Sequence, residues 1–94
     1  MSKTMFEFEL PKGFIDKEGN IHKKGIMRLS TAADEIKPLR DTRVKNNESY
    51  IIIILLSRVI VKLGDLKNIN TYIIEQLSSS DLDFLKTFYQ KVNS

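Results

Sequence analysis

One histidine, no cysteine and four isolated glycines narrow the chemistry open to this 94-residue chain. A serine–histidine–acid relay would have to use His22. That residue stands between Ile21 and Lys23 on the returning arm of a predicted hairpin, where an exposed strand histidine is the plainer expectation. Without cysteine there is no thiol nucleophile and no disulfide framework, and a lone histidine does not make a zinc site. Gly13, Gly19, Gly25 and Gly64 are too far apart to form a phosphate-cradling loop. The acidic turn Asp16-Lys17-Glu18-Gly19-Asn20 invites a calcium reading. An EF-hand loop closes on a glutamate at its twelfth position, however, and Met27 stands there. The strand FEFEL, Phe6 to Leu10, offers rings of the kind that stack on bases, yet Glu7 and Glu9 would repel phosphate. The expectation is a protein with no catalytic centre, no cofactor and no metal, acting through its surface.

Two surfaces are candidates. The first runs from Arg28 to Arg43 and mixes signs: Arg28, Asp34, Glu35, Lys37, Arg40, Asp41, Arg43. It reads either as a solvated, locally paired face or as a polar docking surface whose arginines fork onto carboxylates. For docking, the corner Arg40-Asp41-Thr42-Arg43 with Arg28 beside it is preferred, because Pro38 stiffens the backbone leading into it. Adjacent helical positions do not face each other, which leaves a guanidinium available beside Leu39 and Val44. The second surface is apolar. Tyr72-Ile73-Ile74 with Phe84, Phe88 and Tyr89 give the C-terminal helices more apolar surface than one central helix can cover. That excess predicts contact with an apolar or amphipathic helical partner, and self-association when the partner is absent.

The elements that must hold these residues change period part-way along the chain. Thr4 to Leu10 alternates, with Phe6, Phe8 and Leu10 on one side and Glu7 and Glu9 on the other. Pro11 ends regular pairing; Ile21 to Leu29 returns, with Gly25 as a bulge or bend. After Ser30, caps and helical spacing take over. Thr31 with Asp34 opens a short helix, and Pro38 opens a second, Leu39 to Val44. Asn47 caps the longest helix, Glu48–Leu63, which Gly64 closes and from which Arg58 and Lys62 leave by one face. Its β-branched residues favour a strand, but the run is about twice the length of a buried strand. Asn70 caps Thr71–Ser78. Ser80 with Asp83 opens Asp81–Val92, with Asp81, Asp83, Lys86 and Lys91 kept outside. The reading is a single α+β domain over residues 1–94. An N-terminal β-hairpin of two or three short strands packs on a bundle of about five helices, around a central buried helix Glu48–Leu63.

Hydrophobic content of 41% and charged content of 29% suit an ordinary globular protein. The net charge of +3 is spread over both halves rather than concentrated, which disfavours a nucleic-acid-binding regulator. The apolar run Tyr50–Leu56 is far below the roughly 18 residues of a membrane span. The charged start lacks a secretory signal's apolar stretch, so a cytoplasmic location is expected.

Nearly the whole chain resembles the small phage tail assembly proteins, grouped with the tail assembly chaperones of Mu- and P2-like contractile phages and of phage-tail-like injection systems. The likeness is carried by Phe8, Leu10, Pro11 and Gly13, by Gly19 and His22, and by Gly25-Ile26-Met27-Arg28-Leu29. It continues through Ala32, Asp34, Glu35, Pro38-Leu39-Arg40-Asp41, Arg43 and Val44, then Asn47, Tyr50, Arg58, Leu63 and Gly64. Thr42 stands where the pattern has proline, and Ser30 interrupts a smaller, apolar stretch. The resemblance implies a non-enzymatic accessory of tail assembly that keeps the tape-measure protein soluble until tube subunits polymerise around it. A permanent component of the tail or baseplate is the other role it implies.

Overall fold

In the computed structural model, which describes residues 3–94, the alternating start of the chain forms β1, Met5–Ile15. It pairs antiparallel with β2, Ile21–Arg28. The turn between them is built by Asp16, whose carboxylate accepts the N–H groups of Glu18 and Asn20 at 2.9 Å each, while Gly19 takes φ +87°. Register holds from Met5↔Arg28 to Glu9↔Lys24, slips, and resumes at Phe14↔His22. The slip contains Pro11, which has no N–H to give a ladder.

A third strand, β3, Ile60–Leu63, pairs antiparallel on the other side of β2, giving the order β1-β2-β3. Gly25 lies in the middle strand opposite both Phe8 and Leu63. A Cβ there would come within 2.5 Å of the Lys62 carbonyl oxygen and of the Phe8 ring. Glycine is therefore required by close approach, and the irregularity between β2 and β3 falls after it, between Ile26 and Met27.

The helices begin with α1, Ala32–Ile36, where Thr31 and Asp34 form the expected capping box. A 3-10 turn, Lys37–Arg40, carries Pro38 near its start. The predicted helix Leu39–Val44 is broken at Asp41, whose extended backbone (ψ 133°) resets the chain and caps α2, Thr42–Asn46. Asn47 then caps a 3-10 turn, Glu48–Tyr50, that leads into α3, Ile51–Val59.

The single helix expected over Glu48–Leu63 is thus corrected: it ends at Val59, and Ile60–Leu63 leave as β3. Two causes act together. The β-branched Ile60 and Val61 suit a strand. Arg28 Nη2 donates to the Arg58 carbonyl at 3.1 Å, satisfying one of the orphan acceptors of the last turn. Gly64, at φ +55°, ends the strand instead of a helix, its N–H donating to the Lys24 carbonyl at 2.7 Å. Within α3, Ile54, Leu55, Leu56 and Val59 are buried, whereas Ile51, Ile52 and Ile53 are half-buried.

Asn70 caps α4, Thr71–Glu75, by accepting the Ile73 N–H at 3.0 Å. The last helix, α5, Ser79–Val92, is capped by Ser78 rather than Ser80. The core joins Phe8, Leu10 and Met27 from the sheet to Leu55, Leu56 and Val59 of α3, Ile73 and Ile74 of α4, and Leu85 and Tyr89 of α5. Among the described residues the fold is α+β: a three-stranded antiparallel sheet and five α-helices. Among the described residues no helix is long and apolar enough to cross a membrane.

Candidate functional site

Asp34 is the hub of the mixed-charge segment. It is buried and accepts both Nη atoms of Arg28, at 2.7 and 2.9 Å. It also accepts Arg58 Nε at 3.0 Å and the Thr31 N–H at 2.8 Å. The Arg28 fork, helped by the Thr31 N–H and Arg58, holds its carboxyl well below the usual carboxylate range against the opposing effect of burial. Arg28 also donates to the carbonyls of Leu29 and Arg58. It thereby fastens β2 to α1 and α3. Arg58 turns inward to this hub rather than leaving with Lys62, which lies exposed on β3.

At the corner, Asp41 accepts the Arg43 backbone N–H at 2.9 Å and is forked by Arg43 Nε and Nη2 at 3.0 and 2.9 Å. The Arg43 guanidinium keeps the Asp41 carboxyl down at about 2. Arg43 Nη1 reaches the Thr71 hydroxyl at 3.1 Å, and the guanidinium lies 5.2 Å over the Tyr50 ring. Tyr50 in turn donates to Glu75. Arg43 therefore ties α2 to the entry of α3 and to α4. Arg40 is exposed, and no ion pair among the described residues includes it. Leu39 beside it is 54% exposed and Ile36 is 55% exposed, whereas Val44 is buried.

The C-terminal candidates separate in the same way. Phe84 and Phe88 stack at 5.9 Å and pack against Phe8 at 6.4 and 5.7 Å, half-buried beneath β1. Tyr89 is buried, its hydroxyl donating to Glu35 at 3.0 Å and lying 2.9 Å from the Ser30 hydroxyl; burial raises its phenol above the ordinary value. Tyr72 is 60% exposed on the rim of a groove of about 700 Å³ whose apolar lining is Phe14, Ile15, Leu66 and Ile73.

Two residues stand where the sequence reading did not put them. Asp81, expected outside, is fully buried and accepts the N–H groups of Lys12 and Gly13 at 2.9 Å each. The slip at Pro11 leaves those two donors without a strand partner, and a carboxylate satisfies both. The signal was available: Ser78 and Asp81 have the same capping spacing as Ser80 and Asp83, two residues earlier, and the Asp81 N–H donates to Ser78 Oγ at 3.1 Å.

His22, expected exposed, is buried. Its Nδ1 accepts the Asp65 N–H at 3.1 Å, so Nε2 holds the proton and donates to Asp16 at 2.8 Å. This contact, more than any other, lowers the Asp16 carboxyl. A side chain at Gly64 would run into the imidazole ring. Both ring nitrogens are therefore engaged, Nε2 with the turn of its own hairpin and Nδ1 with the segment after β3. Among the described residues no group of three or more His, Cys, Asp or Glu side chains could hold a metal ion.

No protein-family model, curated protein or solved structure matches the chain.

Proposed function

We propose that the chain is a non-enzymatic accessory of contractile phage-tail or tail-like particle assembly, acting in the host cytoplasm as a chaperone for the tape-measure protein. The resemblance spanning nearly the whole sequence is the starting point. The observation that carries the reading further is how the polar side chains are used. His22, Asp34, Arg28, Arg58, Asp41, Arg43, Tyr89 and Asp81 are all engaged in holding elements together. Of the candidate docking residues, those left at the surface without such a role are Arg40, next to exposed Leu39 and Ile36, and Tyr72, with exposed Ile15. An uncommitted arginine among apolar side chains suits capture of an amphipathic helix better than turnover of a small molecule.

Co-expression with the tape-measure protein tests this. Soluble tape-measure protein that co-purifies with the chain supports the reading, and loss of capture by Arg40→Ala or Tyr72→Ser at unchanged melting temperature assigns the surface. A tape-measure protein that stays equally soluble without the chain, and is not retained by it, overturns the reading.

A further inference from the structure

We propose that the outer edge of β1 is a strand-addition site for an extended partner segment that alternates basic and apolar residues. The inference goes beyond the tail-assembly reading and does not depend on it. The Leu29 N–H donates to the Thr4 carbonyl at 3.0 Å, and in an antiparallel ladder bonded pairs alternate with unbonded ones. The register then bonds Phe6 and Phe8 toward β2 and turns the N–H and C=O groups of Met5, Glu7 and Glu9 outward. The bond from the Gly64 N–H to the Lys24 carbonyl fixes the same phase independently, because Lys24 then faces β3 and its partner Glu9 faces away. No other element among the described residues pairs with these outward groups. Beyond Glu9 the edge is closed by Pro11 and by Asp81 on the Lys12 and Gly13 N–H groups. The open stretch is therefore short and defined, Met5 to Glu9.

Charge selects the occupant. Glu7 and Glu9 are exposed on the outer face, and no ion pair among the described residues includes them. Of the basic residues of that face, Lys24 stands opposite Glu9 on the inner side of β1, Lys62 lies on β3, and Arg28 is turned to Asp34, so none lies on the outer side of the edge. A strand arriving beside β1 meets carboxylates first, so lysine or arginine at alternate positions completes the cross-strand pairs. On the opposite face α5 packs on β1, and Phe6, Phe84 and Phe88 are only half-buried. The intervening apolar side chains of the added strand meet these rings.

A second copy fits poorly. Antiparallel pairing of two β1 edges about Glu7 sets Glu7 against Glu7, and like charges directly opposite are unfavourable. The β3 edge is four residues long, and its Leu63 carbonyl already accepts the Leu66 N–H at 3.1 Å.

The probe is a fluorescently labelled, end-blocked peptide of about seven residues alternating lysine and valine, with a glutamate–valine peptide as control. Binding is read by anisotropy and located by amide NMR shifts. The lysine peptide is expected to bind and to shift and protect the amides of Met5, Glu7 and Glu9. Glu7→Lys with Glu9→Lys changes exposed side chains only. Because it places a lysine opposite Lys24, it is expected to lower the melting temperature slightly, to weaken the lysine peptide about tenfold and to gain the glutamate peptide. Glu7→Pro removes one outward N–H and is expected to abolish binding of either peptide. The proposal is overturned if the lysine peptide does not bind, if its shifts gather at the Tyr72 groove, or if the peptide-free chain already protects these amides by dimerising.

Discussion

Asp34 stabilises the fold only while its carboxylate is charged. Its folded-state carboxyl lies below the ordinary value of 3.8, so its contribution is complete above that value and is lost as pH falls toward the folded one. Unfolding free energy should therefore decline on acidification below about pH 4 and do so less steeply in Asp34→Asn, as urea titrations across pH would measure. Asp41 acts in the same sense but from an exposed site, so part of the slope will persist in that variant. At neutral pH, Asp34→Asn should cost about 2 kcal/mol, less than a fully buried pair because both arginine partners are about a third exposed. Asp81→Asn is the companion case. An amide offers one acceptor to two N–H donors and points its own N–H at the other, which predicts a loss of about 2 kcal/mol by the same titration.

For the sheet, Gly25 is the sensitive position. A methyl group there meets the Lys62 carbonyl and the Phe8 ring at once, so Gly25→Ala should cost about 2 kcal/mol or more and selectively raise hydrogen exchange at Lys62 and Gly64. What was legible in the sequence follows from range. The alternation of β1, the Asp16 turn, the Thr31–Asp34 box and the Asn70 cap are made by residues a few positions apart, and all appear as read. The end of α3 was not legible because the Arg58 carbonyl finds Arg28, 30 positions away. The burial of His22 is not legible because its second partner is Asp65, 43 positions on. At the corner, the rule for helical neighbours does not hold, because Asp41 is the extended residue before α2 and so reaches Arg43 two positions on. Arg40 and Tyr72 were legible as surface candidates; the engagement of Arg28 and Tyr89 inside the fold was not.

At the scale of the molecule, the most exposed large apolar side chains among the described residues are Ile15, Tyr72 and Ile21, the first two of which line one groove. Sedimentation equilibrium should therefore detect weak, concentration-dependent association of the isolated chain. Ile15→Ser combined with Tyr72→Ser should abolish it while leaving the melting temperature nearly unchanged, since neither side chain belongs to the buried core. An unaltered association constant would move the self-contact to another face. The edge of β1 and this groove are separate surfaces, one polar and backbone-led, the other apolar. Charge reversal at Glu7 and Glu9 should leave the association constant of the isolated chain unaffected.

The Asp81 contact also has a consequence for the order of synthesis. Its two donors lie 69 and 68 positions earlier in the chain, so a polypeptide leaving the ribosome exposes β1 and β2 long before the residue that secures their bulge exists. Through that interval the Lys12 and Gly13 amides have only water to bond, and the closure that finally occupies them spans most of the chain, the kind of long-range step that slows folding. The nascent sheet is thus held open at one end until α5 emerges, and translation rate becomes a determinant of how long it stays so.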